Sequence, residues 1–69
     1  MADKAITIGH QTAHIFDDTN WNIIFQTPAG LDYCREQLPA TMSLDDVKAW
    51  TTKQLDSNSA VATATIELW

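Results

Sequence analysis

Ser59-Ala60-Val61-Ala62-Thr63-Ala64-Thr65-Ile66-Glu67-Leu68-Trp69 is the longest stretch of the chain that alternates strictly with period two. Ala60, Ala62, Ala64, Ile66 and Leu68 fall on one side, and Val61, Thr63, Thr65, Glu67 and Trp69 on the other. Successive side chains of a strand point to opposite faces, so this spacing predicts a β-strand over 59–69. Thr, Val and Ile suit its pleated, half-buried surface. The alanine side is shallow enough for a bulky layer to lie close. Two predicted helices upstream are expected to form that layer.

The nearer helix is announced by Ser43-Leu44-Asp45-Asp46. Ser43 suits an N-cap, Asp46 stands at the reciprocal position of a capping box, and both aspartates favour the positive end of a helix dipole. Leu44, Val47, Thr51 and Leu55 make its inward stripe, Trp50 lies beside it, and Lys53 is expected in the last turn. Asp56-Ser57-Asn58-Ser59 ends it. The farther helix is predicted over 28–38, with Thr27 as cap, Pro28 at the first helical position and Pro39 as the stop. Leu31, Cys34 and Leu38 then form one apolar stripe at i, i+3, i+7, although Gly30 weakens it by about 1 kcal/mol relative to alanine.

Upstream again, Trp21, Ile23 and Phe25 alternate with Asn22, Ile24 and Gln26, a strand over 21–26. Asp17-Asp18-Thr19-Asn20 is a turn cluster that would join it to a strand over 12–16 as a hairpin. Residues 4–8 read as a further short strand, with Gly9-His10-Gln11 as a turn; one long strand through Gly9 competes with that reading. The order is β-β-(β)-α-α-β. Strands and helices are segregated, which predicts an α+β fold: a small antiparallel sheet, made of the hairpin and the C-terminal strand, with two helices packed on one face. The C-terminal strand is expected to be able to serve as a sheet edge.

A chain of 69 residues makes one compact domain, and one this short buries only about 60% of its unfolded surface. Such domains usually gain a staple from disulfides, a metal or oligomerisation. Cys34 is the single cysteine, so an intrachain disulfide is impossible and a reducing compartment is favoured. Met1-Ala2-Asp3-Lys4-Ala5 has no basic-then-apolar leader, and the longest aliphatic-aromatic run is Ile23-Ile24-Phe25, far short of a membrane span. A cytoplasmic location, with no membrane partner, is expected. Four basic against nine acidic residues give a net charge of −5. Lys4, Arg35, Lys48 and Lys53 are scattered, which argues against direct nucleic-acid binding. The acidity permits a basic partner, including the groove of a nucleic-acid-binding complex, although solubility is its plainer use.

No cofactor or catalytic motif stands out. His10 and His14 share a strand face but stand about 13 Å apart at the rise of a strand, too far for one zinc. Cys34 could act as a nucleophile with a histidine and an aspartate, but it falls on the predicted core stripe, where a free cysteine is commonly a small hydrophobe. Asp17-Asp18 and Asp45-Asp46 serve a turn and a helix start. Two glycines in the whole chain leave no phosphate loop. The chain has little room for both a core and a cleft.

The tryptophans Trp21, Trp50 and Trp69 sit on three different elements. One or two are expected in the core. The outer sheet face is expected to carry Val61, Thr63, Thr65 and Trp69, joined either by Trp21, Ile23 and Phe25 or by Ile15 and Ile24. In size, acidity and lack of catalytic apparatus the chain resembles the small inhibitors that phages and plasmids direct against host machinery, anti-CRISPR proteins among them. The resemblance is one of general character and is carried by no motif. The function expected is a non-catalytic protein-binding inhibitor that masks a surface of a larger cytoplasmic protein. Its contacts would be Trp69, Glu67, Thr65 and Trp21, with Asp17 and Asp18 as acidic rim, and a homodimer is a further expectation. The alternatives are an acidic nucleic-acid mimic, in which Asp17, Asp18, Asp32, Glu36, Asp45 and Asp46 would converge on one face, and a small enzyme built on His10, His14 and Cys34.

Overall fold

The computed structural model describes residues 4–69. Residues 1–3, on which part of the leader reading rests, lie outside the described residues. The elements run β1 (Ala5–Gln11), β2 (Asn20–Gln26), β3 (Asp32–Pro39), α1 (Leu44–Ser57) and β4 (Thr63–Leu68). The class is α+β: a four-stranded mixed sheet, order β1-β4-β2-β3, with one helix. β1 and β4 are parallel, and β2 is antiparallel to both β4 and β3.

The alternation at the C-terminus governs the core. Ala64, Ile66 and Leu68 are buried, while Thr63, Thr65 and Glu67 are half-buried on the opposite face. Ladder register lines up three rows beneath the helix: Ile6, Ala64, Phe25; then Ile8, Ile66, Ile23; then Leu68, Trp21, Leu38. From above, Val47, Thr51 and Leu55, at i, i+4, i+8, are buried. Thr51 tolerates this because its hydroxyl donates to the Val47 carbonyl at 2.8 Å, so that hydroxyl is not stranded in the core. Ser43 caps the helix as expected, its Oγ accepting from the Asp46 amide at 3.1 Å. The helix runs to Ser57, which leaves its last turn without a basic residue and Lys53 one turn earlier.

The sheet is mixed rather than the antiparallel one expected, because β1 and β4 run parallel, and several further expectations are corrected. The segment 28–38 is not a helix. Thr27, Pro28, Ala29 and Gly30 form a turn, with the Gly30 amide on the Thr27 carbonyl at 2.9 Å and the Leu31 amide on Thr27 Oγ1 at 3.2 Å. Gly30 has φ +84°, which glycine alone adopts at no steric cost, and it turns the chain back into β3. The hairpin is therefore β2–β3, and residues 12–16 form a loop rather than its first strand. β1 continues through Gly9 to Gln11, with a register shift between Ile8 and Gln11. Its glycine lies where a Cβ would stand 2.8 Å from Glu67 Oε2, so it permits a close approach rather than a turn. Finally, β4 is an interior strand, hydrogen-bonded on both sides, and cannot serve as a free edge; β1 and β3 are the edges. The strand itself begins at Thr63, and Val61 is buried rather than on the outer face.

One helix over four strands leaves the helix-side face of β3 uncovered. Cys34 and Glu36, predicted to be helical, are strand residues opposite Phe25 and Ile23, and both are exposed. No helix of the described residues is long and apolar enough to cross a membrane.

Candidate functional site

The loop between β1 and β2 is tied at both ends to the end of β4. The Thr12 amide donates to the Leu68 carbonyl at 2.8 Å, and Asn20 and Trp69 exchange both backbone hydrogen bonds at 3.1 Å. Inside the loop, the Phe16 amide donates to Thr19 Oγ1 at 2.9 Å and the Thr19 amide to the Phe16 carbonyl at 3.1 Å. Thr19 is buried. The Asn20 side-chain amide holds the Asp18 carbonyl at 3.2 Å. These bonds use the loop's polar groups internally and leave its apolar side chains outside. Ile15 is 55% exposed, Phe16 68% and Trp69 58%. The His14 ring lies 6.3 Å from that of Phe16. Isolated exposed apolar residues are ordinary, but three large ones at one end of a small domain are what interaction sites display.

The same end is acidic. Asp17 and Asp18 lie in the loop. Glu67 stands two residues before Trp69 on the same face, and its Oε2 accepts from the His10 amide at 3.3 Å. α1 also starts here: Pro39 pairs with Asn20, and the Trp21 indole donates to the Met42 carbonyl at 2.9 Å. Asp45 and Asp46 therefore occupy this end too, in the first helical turn. The Lys4 ammonium is at the other end, donating to the carbonyls of Asn58 and Val61. Arg35 approaches along the open sheet face, where it and Trp69 wall a shallow cleft of about 400 Å³ with Asn22, Ile24 and Gln37. Its guanidinium is already paired with Asp32 at 3.5 Å.

Of the residues expected to meet a partner, Trp69, Glu67, Asp17 and Asp18 are brought to one end. Thr65 lies further along the same open face, opposite Thr7 and Ile24. Trp21 is a correction: it is 4% exposed and belongs to the core. Its alternation with Asn22 put it on a definite face but did not say which one. Ile15, expected on the outer sheet face, stands exposed in the loop instead, and Phe16 is the contributor that strand reasoning hid. Their signal was two consecutive apolar residues beside a double aspartate, without sustained alternation.

The six carboxylates named for mimicry do not share one face. Asp17, Asp18, Asp45 and Asp46 lie at the apolar end, Asp32 is at the turn end of β2–β3, and Glu36 is mid-strand. His10 and Cys34 sit on opposite edges of the sheet, separated by at least about 14 Å across three ordinary strand spacings. Among the described residues no group of three or more His, Cys, Asp or Glu is arranged around a common metal position. Partial desolvation first, and the Glu36 carboxylate second, hold the Cys34 thiol above its ordinary value, which disfavours the reactive thiolate. No family model, characterised protein or solved structure matches the chain.

Proposed function

We propose that this chain is a non-catalytic protein-binding module that docks through the end formed by Ile15, Phe16 and Trp69. It acts by covering a surface of a larger, basic cytoplasmic protein, in the manner of the inhibitors that phages and plasmids direct at their hosts. The observation that carries this reading is the coincidence of three exposed apolar side chains with Asp17, Asp18, Asp45, Asp46 and Glu67 at one end. An apolar centre with a charged rim is the anatomy of a transient interface, and tryptophan is among the residues most often found as its anchor. The rim selects a partner with basic residues around an apolar pocket. A second copy is disfavoured as the occupant, because two acidic ends would then face each other.

The test is capture from extracts of the source organism, with wild type and Phe16→Ser/Trp69→Ser as matched baits. A protein retained by the first and lost by the second, at equal folded content, supports the reading. Retention by both sinks it. The four aspartates at this end also favour a second reading, in which the surface covered is the nucleic-acid groove of the partner. Salt separates the two: a charge-driven complex weakens steeply as salt rises, whereas an apolar-centred one does not.

A further inference from the structure

We propose that the cleft between β3 and α1 is a second binding site, which receives an arginine side chain presented by a protein partner. It opens where a second helix would otherwise cover the sheet, away from the Trp69 end, and encloses about 340 Å³. Binding pockets for small ligands begin at about this size, which suits one long side chain.

Its walls have the chemistry of a guanidinium receptor. Trp50 lines it, held by Phe25 with ring centroids 6.2 Å apart and planes tilted 56°. A planar cation over an indole face gains both stacking and quadrupole attraction. From the facing strand, Glu36 supplies a carboxylate, for which a guanidinium is the matched two-pronged donor. Gln54 and Asn58 add amides along the helix side. The lining contains no basic residue. Among the described residues the ion pair nearest in sequence, Arg35 with Asp32, leaves Glu36 out. An apolar occupant would strip water from Glu36 and leave it unpaired, a costly arrangement; a nucleic-acid phosphate would meet it charge against charge. A chain of net charge −5 also attracts basic partners over distance. Trp50, Gln54 and Asn58 of this site are not shared with the docking end of Ile15, Phe16 and Trp69, so either proposal can fail without the other.

The experiment is a titration of the isotope-labelled chain with N-acetyl-arginine methylamide, followed by the three indole and the backbone N–H signals. The citrulline and lysine analogues are run in parallel. Saturable shifts of the Trp50 indole and the Cys34 and Glu36 amides are expected with arginine, weaker ones with lysine and none with citrulline. Glu36→Gln, an exposed isosteric change, should weaken arginine binding about tenfold or more while the remaining spectrum stays in place. Phe16→Ser/Trp69→Ser should leave binding unchanged. Absence of saturable shifts, equal shifts from citrulline or lysine, or an unaffected Glu36→Gln would overturn the proposal.

Discussion

Replacing Gly9 by alanine tests the packing that sets Glu67 beside β1. A Cβ on Gly9 would stand 2.8 Å from Glu67 Oε2, 2.9 Å from Cγ and 3.2 Å from Cδ. Non-bonded carbons prefer about 3.5–4.0 Å, so the glutamate must swing away. That forfeits the 3.3 Å hydrogen bond from the His10 amide, worth about 0.5–1.5 kcal/mol at most, and an off-rotamer side chain costs a similar amount. In the opposite direction, alanine restricts the unfolded chain and stabilises by about 0.4–1 kcal/mol, because Gly9 is not among the positive-φ residues. The single variant should therefore lose about 0.5–1 kcal/mol. With Glu67→Ala already in place the obstacle is gone, and Gly9→Ala should stabilise by its entropic gain alone. Urea unfolding of the four proteins of the cycle gives the coupling, expected at about 1–2 kcal/mol. Independent sites add to within about 0.5 kcal/mol. A coupling below that would refute the close approach of Gly9 to Glu67.

Ser43→Ala should cost about 1 kcal/mol and lower the melting temperature by about 4–8 °C; an unchanged melting curve would place the helix start elsewhere. Ala64→Leu, at a fully buried position under the helix, should destabilise by about 1–3 kcal/mol. Thr63→Leu on the open face should change stability far less, and equal effects in urea titrations would reverse the faces. The Cys34 thiol, raised above its ordinary value by partial desolvation and by Glu36, should alkylate more slowly at pH 8 than a free cysteine peptide, and faster in Glu36→Gln than in the wild type. The folded state holds this proton more tightly than the unfolded chain. Its contribution is therefore full below the unfolded thiol value and is lost as pH rises through the folded one. Phe16→Ser and Ile15→Ser, at exposed loop positions, should each shift stability by no more than about 0.5 kcal/mol.

The legible parts of the fold were those in which local and tertiary signals agree. Thr63 to Leu68 alternates and is half-buried; Ser43 caps, and Val47, Thr51 and Leu55 face inward. Residues 28–38 misled because Thr27-Pro28 serves a helix start and a hairpin turn equally well. Arg35, Glu36, Gln37 and Leu38 are good helix formers by intrinsic propensity. What overrides them is the unpaired backbone of β2, which β3 satisfies along its length, a demand no local window displays. The insertion of β4 between β1 and β2 is likewise a property of pairing, not of spacing, and it removed the edge expected at the C-terminal strand. At the candidate site, Asp17 and Asp18 were legible as exposed because turn chemistry fixes it, whereas alternation put Glu67 and Trp69 on one face of the C-terminal strand without saying whether Trp69 seals the core or stands exposed. Trp21 was not legible, because period two distinguishes faces without labelling them. Phe16 was hidden by a strand reading that its hydrogen bonds to Thr19 contradict.

The most direct test of the docking end is site-specific photo-crosslinking in cells of the source organism. A photoreactive residue is placed at Phe16, at Trp69 or, as control, at the exposed Thr52, on the side of α1 turned away from Trp50. One discrete protein adduct from positions 16 and 69, and none from 52, is the expected result. No adduct from 16 and 69, or the same adduct from all three, would contradict the account.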